Sequence, residues 1–262
     1  MLSLFARFVA RLGVGRKLML IYLLDLTAVI YVSGILINEK YIAIDFARKE
    51  TQGNAYVAVL RDAVLDTARL GTGIDMRRAS AEHAQALAEA EQQHGAGMQS
   101  ADAVPKLQQS LATLQPTSVP PPDVAAVIER TRELITRIGN QSNLILDPDL
   151  DSYYSMSLVV LRYPELLEVI DAVGTHLRRS TASAVVPSVD ARTRYLILEG
   201  RLDAIHKGIV ADIAEAEAAG GEGLASALRP LQAALAQQVE RYRALAREQM
   251  DRGATMEAAA AL

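Results

Sequence analysis

The sequence contains no cysteine and no tryptophan, and aromatic residues make up only 5% of its 262 residues. The absence of cysteine excludes disulfide bonds, thiolate metal sites and a cysteine nucleophile. Alanine and leucine are abundant and aromatic residues are few, which is more typical of packed helices than of sheets. Since 50% of the residues are hydrophobic, a substantial core can form, and we expect an all-α protein.

The chain also lacks a strong excess of either charge, because its formal net charge is −4 at pH 7. No basic stripe interleaved with aromatic residues is present, so we expect no nucleic-acid partner. No G-x-S-x-G turn, phosphate-binding loop or nucleophile constellation occurs, so we expect no enzyme and no cofactor. The histidines form no i, i+4 pair, which argues against a metal site. We assign all four to solvated or helix-capping positions: His83, His94, His176 and His206.

One long apolar run lies near the N-terminus. Residues 18–37 read LMLIYLLDLTAVIYVSGILI, and about 20 apolar residues are enough for a helix to cross roughly 30 Å of hydrocarbon. Four basic residues precede the run, which places residues 1–17 in the cytoplasm of a bacterial cell and the bulk of the chain in the periplasm. A cleaved signal peptide is the less favoured alternative, since the run is long and the Val-Ser-Gly at 32–34 is a poor cleavage site.

Helical periodicity continues beyond the run. Apolar residues recur every three or four positions, so the spanning helix is predicted to extend to about Arg69 and to stop at Gly71 and Gly73. We expect a division at the HGAG segment 94–97, a break at QPTSVPPP (115–122), a bend or division at Pro164, and a stop at Gly220-Gly221. The further helices are predicted at 78–93, 103–114, 123–145, 152–179, 187–219 and 224–245.

These helices predict an N-terminal transmembrane helix that continues into an antiparallel helical bundle over residues 38–252. About six extracytoplasmic helices are expected, and none can bury its apolar face alone. Two four-helix modules stacked end to end would also satisfy the pattern. Residues 253–262 are expected to form a flexible tail.

The stretch NLILDPDLDSYY at 143–154 has the D-x-D-x-D start of a calcium loop. Such a loop needs Gly at its sixth position and Glu at its twelfth, but this sequence has Ser152 and Leu158 there. A corner between two helices fits better. Pro148 ends the preceding helix, and Asp149 or Asp151 can accept hydrogen bonds from the first amides of the next helix.

A ligand site can coexist with this corner. Asn143 is a polar residue near the end of an apolar helix, and Tyr153 and Tyr154 bring hydroxyls and ring faces to the same place. Lys49 lies on the inward stripe of the first helix, where it either pairs with Glu50 or a neighbouring helix or meets an anion. Seven arginines could hold a carboxylate, and Arg162 is the favoured one because it lies on the helix that begins at the corner. The set is Arg61, Arg162, Arg178, Arg179, Arg192, Arg194 and Arg201.

Two segments carry a resemblance to a known class of proteins. NQSNLILDPDLDSYYSMSLVVLRYPEL (140–166) is similar to the periplasmic sensor regions of bacterial methyl-accepting chemotaxis receptors and of related transmembrane sensor kinases and diguanylate cyclases. FARKETQGNAYVAVL (46–60) resembles their membrane-proximal F-x-x-K-E-x-x-G-x-x-Y segment. The residues that match it are Phe46, Lys49, Glu50, Gly53 and Tyr56. The resemblance covers roughly residues 16–250.

The resemblance implies a sensor that forms a homodimer and relays a signal through membrane helices; six helices suit the two-module variety that binds small carboxylates. Such receptors return through a second span to a HAMP linker and an output domain, and no second apolar run follows residue 37. We expect either a fragment of a longer chain or a one-span protein that does not transmit by itself. The expected function is a membrane-anchored extracytoplasmic sensor for a small polar metabolite; the alternative is a structural or scaffolding membrane protein.

Overall fold

The computed structural model describes residues 13–114, 123–146, 149–181 and 187–252. Within these residues the chain has seven α-helices, one 3-10 helix and one π-helix, and it has no strand, so the all-α expectation is confirmed. The α-helices are α1 (Val14–Gly71), α2 (Ser80–Met98), α3 (Val104–Thr113), α4 (Val124–Gln141), α5 (Leu150–Met156), α6 (Tyr163–Thr181) and α7 (Val189–Arg252). The 3-10 helix covers Leu144–Leu146 and the π-helix covers Ser157–Arg162. The predicted break at 115–122 and the predicted tail at 253–262 lie outside the described residues.

The chain divides into two compact units, Met1–Arg48 and Lys49–Leu262. In the first unit, the described part of α1 is long and apolar enough to span a membrane. Every side chain from 18 to 37 is exposed, including large ones such as Ile21, Leu24 and Val29. Exposed apolar side chains over this length are what contact with lipid requires.

The C-terminal end of α1 lies where the sequence predicts it. Gly73 has a φ of 81°, a left-handed conformation that glycine adopts without strain. The backbone N–H of Ile74 donates to the carbonyl of Arg69, and the N–H of Gly73 donates to that of Leu70, both at 3.0 Å. These two bonds form a Schellman motif, which satisfies carbonyls that the end of the helix would otherwise leave without partners.

A buried side-chain contact between His83 and Asp66 joins the end of α1 to the start of α2. His83 is 1% exposed, and its Nε2 lies 2.9 Å from Oδ2 of Asp66. The same carboxylate oxygen accepts the backbone N–H of Arg78 at 3.0 Å. The expectation that all four histidines are solvated or cap helices is therefore wrong for His83, because a partner 17 residues away in sequence makes its burial favourable.

Two predicted helix ends are wrong. The HGAG segment does not stop α2, which continues to Met98, a side chain with no exposed surface. Gly220-Gly221 and Pro230 do not stop α7, which runs for 64 residues, so one helix replaces the two predicted at 187–219 and 224–245. A glycine costs a helix about 1 kcal/mol and an internal proline about 3 kcal/mol. Burial of apolar side chains on both sides of these breakers offsets that penalty.

The second unit has two hydrophobic clusters. One is built from α1, α2, α3 and α4, and it includes Tyr56, Leu60 and Met98. The other is built mainly from α6 and α7, with Leu158 of the π-helix, and it includes Val169 and Ile209. The apolar face predicted for α4 is confirmed, because each of its side chains is at most 2% exposed. The residues of this face are Val124, Val127, Ile128, Leu134, Ile135 and Ile138.

Candidate functional site

The two segments that resemble sensor proteins are in contact in the second unit. Gly53 of α1 faces Ser142, which follows α4, and a Cβ atom at Gly53 would lie 2.2 Å from the Cβ of Ser142. Ser142 has no exposed surface, and its hydroxyl donates to the carbonyl of Ile138 at 2.7 Å. The glycine of the K-E-x-x-G pattern is therefore needed for close approach of the two segments.

The described residues between 142 and 151 form a turn between two helices, as the sequence predicts. Asn143 has a φ of 64°, a left-handed conformation that asparagine tolerates better than most residues, and its carbonyl accepts the N–H of Leu146 at 2.8 Å. Oδ1 of Asp151 accepts the backbone N–H of Ser152 at 2.9 Å. Asp147 and Pro148 lie outside the described residues. Among the described residues, no three His, Asp or Glu side chains are grouped to hold a metal ion.

Tyr153 and Tyr154 lie at this corner but pack on each other. Their ring centroids are 5.2 Å apart and the rings are nearly perpendicular, at 80°. A cavity of about 370 Å³ is lined by the polar neighbours of these tyrosines in sequence, Ser152 and Ser155, and by Asn54 of α1. Lys49 is exposed instead of lying on the inward face, which corrects its predicted placement.

Arg162 is held by an acidic residue of α7. Its Nε donates to Oδ2 of Asp212 at 2.9 Å, and the hydroxyl of Ser157 donates to the same oxygen at 2.7 Å. The guanidinium lies over Gly208, where a Cβ atom would come within 2.8 Å of its Cζ. Both ends of the π-helix are thus tied to one carboxylate of α7.

Pro164 explains why a π-helix precedes α6. In an α-helix the ring of Pro164 would clash with the carbonyl of Val160 and leave it without a donor. The wider π-helix avoids this clash, and the N–H of Tyr163 donates to Leu158, five residues back. The predicted interruption at Pro164 is therefore a local widening of the helix, and the chain continues directly into α6.

A cavity lined by several charged residues lies between α4, α6 and α7 and has a volume of about 590 Å³. Its walls combine apolar side chains with charged groups, the combination that a small-molecule site uses. The charged and titratable residues that line it are Glu129, Glu168, Asp171, His176, Arg179 and Arg194. Neither Arg162 nor either tyrosine of the corner lines this cavity.

Several of these groups already have partners. Glu168 pairs with Nε of Arg132 at 2.7 Å and with Arg201 at 3.4 Å. Nε2 of His176 lies 2.8 Å from the carbonyl of Ala191, so this nitrogen carries the proton and joins α6 to the start of α7. Glu168 and His176 therefore shape the cavity, and the side chains of Arg179 and Arg194, which are both exposed, present positive charge at it.

Asp171 is the most deeply buried charged residue of the cavity. It is 9% exposed, and within the described residues it accepts no hydrogen bond. Burial raises the pKa of this carboxyl above its ordinary value, against the opposing effect of Arg178 and Arg179. Gly71 lies directly against it, since a Cβ atom there would come within 2.8 Å of its Oδ1.

A polar stripe on α6 could have revealed this cavity from the sequence. Glu168, Asp171, Thr175 and Arg179 follow one another at spacings of three and four residues, so they share one face of the helix. Arg179 and Arg194 are among the seven arginines that could hold a carboxylate, but nearness to the corner favours Arg162 in the sequence.

Comparison of the chain with family models, with curated proteins and with solved structures finds no match.

Proposed function

We propose that the chain is a membrane-anchored extracytoplasmic sensor that binds a small metabolite with a carboxylate group in the cavity between α4, α6 and α7. The observation that carries the proposal is the presence of Arg179 and Arg194 on a cavity of about 590 Å³ with apolar and polar walls. Guanidinium groups are the donors best suited to hold a carboxylate. The resemblance of residues 46–60 and 140–166 to sensor regions supports the same proposal.

The proposed mechanism uses the three helices that meet at the cavity. A ligand that contacts α4, α6 and α7 favours the arrangement of these helices in which its contacts are best formed. A ligand with equal affinity for two arrangements would move no equilibrium, so the relevant contacts are those that change between them. In this proposal the helices form an antiparallel bundle, the protein is a homodimer, and α1 anchors it in the inner membrane.

A thermal-shift screen of the full chain in detergent micelles tests the proposal. Organic acids and amino acids are added one at a time, and a ligand at 100 times its Kd stabilises the folded state by about 2.7 kcal/mol. We expect at least one of these compounds to raise the melting temperature by about 5 °C or more.

Variants locate the site in the same screen. Replacing both Arg179 and Arg194 by alanine should abolish the shift. Arg192→Ala is the matched control, because Arg192 is also exposed on α7 but does not line the cavity. If no compound gives a shift while the chain captures a stable protein partner, the scaffold alternative is correct and the sensor proposal is not.

A further inference from the structure

Asp171 differs from the other two acidic residues of the cavity. Glu168 is neutralised by Arg132 and Arg201, and Glu129 is exposed to solvent. Asp171 is about nine-tenths buried, and no donor of the described residues forms a hydrogen bond with it. Burying a carboxylate without hydrogen bonds is unfavourable, so a hydrogen-bond donor that reached Asp171 would stabilise its ionised form.

The neighbouring cations do not supply that donor. Arg178 uses one guanidinium nitrogen to donate to Oγ1 of Thr175 at 2.9 Å, and the side chain of Arg179 is exposed. Both act on Asp171 only through their charge. A metal ion is not the missing partner, because the described residues hold no group of three acidic or histidine side chains that could ligate one.

We propose that Asp171 binds a protonated amino group, and that the ligand of the cavity is an α-amino acid whose carboxylate is held by Arg179 and Arg194. The inference rests on the proposed function, because it names the ligand class of the same cavity. An ammonium group offers three donors and a positive charge, which satisfies a carboxylate that receives no hydrogen bond from the described residues. A dicarboxylate would bring a second anion to Asp171, which is unfavourable.

The geometry of α6 fits a ligand with two opposite charges close together. Arg179 follows Asp171 by eight residues, about 12 Å along the helix axis, on the same face. Helical side chains lean toward the N-terminus, so the long side chain of Arg179 leans back toward Asp171. Both residues line the cavity, the charge of Arg179 acts on the Asp171 carboxylate, and Arg194 adds a second cation from α7.

Isothermal titration calorimetry on the full chain in detergent micelles tests this inference, in a buffer that contains no amine. The probes are pairs with the same carbon skeleton, such as L-aspartate with succinate and L-alanine with propionate. We expect the amino acid of at least one pair to bind about tenfold more tightly than its deaminated counterpart, as one charged hydrogen-bonded contact predicts.

Two variants assign the amino group to Asp171. Asp171→Asn keeps the shape of the side chain but removes its charge, and it should abolish the preference for the amino acid. Asp75→Asn makes the same change at an exposed position that does not line the cavity, and it should leave the preference unchanged. Circular dichroism melting of both variants checks that each is folded.

The outcomes separate this inference from the proposed function. Binding of deaminated acids with equal or higher affinity, or an unchanged preference in Asp171→Asn, overturns the inference and leaves the sensor proposal standing. Absence of binding by every acid and amino acid overturns the proposed function, and the inference fails with it.

Discussion

Two buried aspartates show how the same side chain acquires opposite properties. Burial alone would raise the pKa of Asp66, but hydrogen bonds from His83 and from the backbone N–H groups of Arg78 and Arg77 outweigh it and hold this pKa below its usual range. Asp171 is buried without any hydrogen bond in the described part of the chain, and its pKa is raised. Asp66 therefore stabilises the fold in its ionised form, whereas Asp171 destabilises the fold when it is ionised.

Asp171→Asn should stabilise the protein at neutral pH. A raised pKa in the folded state means that ionisation above pH 3.8 costs stability, and that cost is complete once the pH exceeds the folded pKa. The variant removes it and should gain about 0.5–2 kcal/mol at pH 7. Melting curves of the ligand-free chain at pH 7 and pH 3.5 measure the gain, which should vanish at the lower pH. A variant that melts below the wild type at pH 7 would contradict this reasoning.

Asp66→Ala should have the opposite effect. It removes the partner of a buried histidine and should cost about 3 kcal/mol at neutral pH. Because the pKa of Asp66 is lowered, its contribution is present above the ordinary value of 3.8 and is lost as the pH falls through the folded value. Melting temperatures of variant and wild type should converge in acid. Asp62→Ala, which breaks a more exposed pair with Arg61, is the control and should cost at most about 1 kcal/mol.

Among the helices and turns, the features that local chemistry determines were predictable and those that depend on distant contacts were not. The end of α1 at Gly71 and Gly73 and the apolar face of α4 follow from glycine conformation and periodicity. The continuation of α7 through Pro230 depends on packing of side chains on either side of it, such as Ala225 and Val239, which are both buried. The cavity was missed for the same reason, because Asp171 and Arg194 are on different helices and only the fold brings them together.

Gly53→Ala tests the close approach of the two motif segments. A Cβ atom at Gly53 cannot be accommodated 2.2 Å from the Cβ of Ser142, so a backbone shift is needed and should cost about 1–3 kcal/mol. Ser142→Gly in the same chain should recover part of the loss, which thermal melting of the double-mutant cycle measures. Gly200→Ala is the matched control, since nothing lies within 4 Å of its added Cβ, and it should be neutral or stabilising. Equal effects at the two glycines would refute the contact.

Pro230→Ala tests the continuity of α7. Pro230 is exposed inside this helix, and alanine restores the missing N–H without disturbing a buried contact. The variant should be stabilised by about 1–3 kcal/mol and should show slightly higher helicity by circular dichroism. Gln237→Ala, at an exposed position of the same helix, should change the melting temperature much less. If the two variants behave alike, the chain near residue 230 is not helical.

The whole molecule combines an apolar helical segment with a unit that buries its own core. In the first unit the side chains of 18–37 are exposed and, with few exceptions such as Asp25, apolar, which water does not favour and a bilayer does. The second unit has its own hydrophobic clusters and a charged cavity. This division of properties is what an anchored sensor needs, and the charge pattern before residue 18 predicts which side of the membrane each part occupies.

Cysteine labelling tests that orientation, because the chain has no native cysteine and each introduced thiol is therefore unique. Ala211→Cys places a thiol at an exposed position of the second unit, and Ser3→Cys places one before the apolar run. In spheroplasts, a membrane-impermeant maleimide should label Ala211→Cys at once and Ser3→Cys only after lysis. The reverse pattern would invert the orientation, and labelling of both variants before lysis would show that residues 18–37 do not separate two compartments. Because the reverse pattern would remove the extracytoplasmic cavity from the proposal and labelling of both variants would remove the membrane anchor, this experiment should precede the ligand screen.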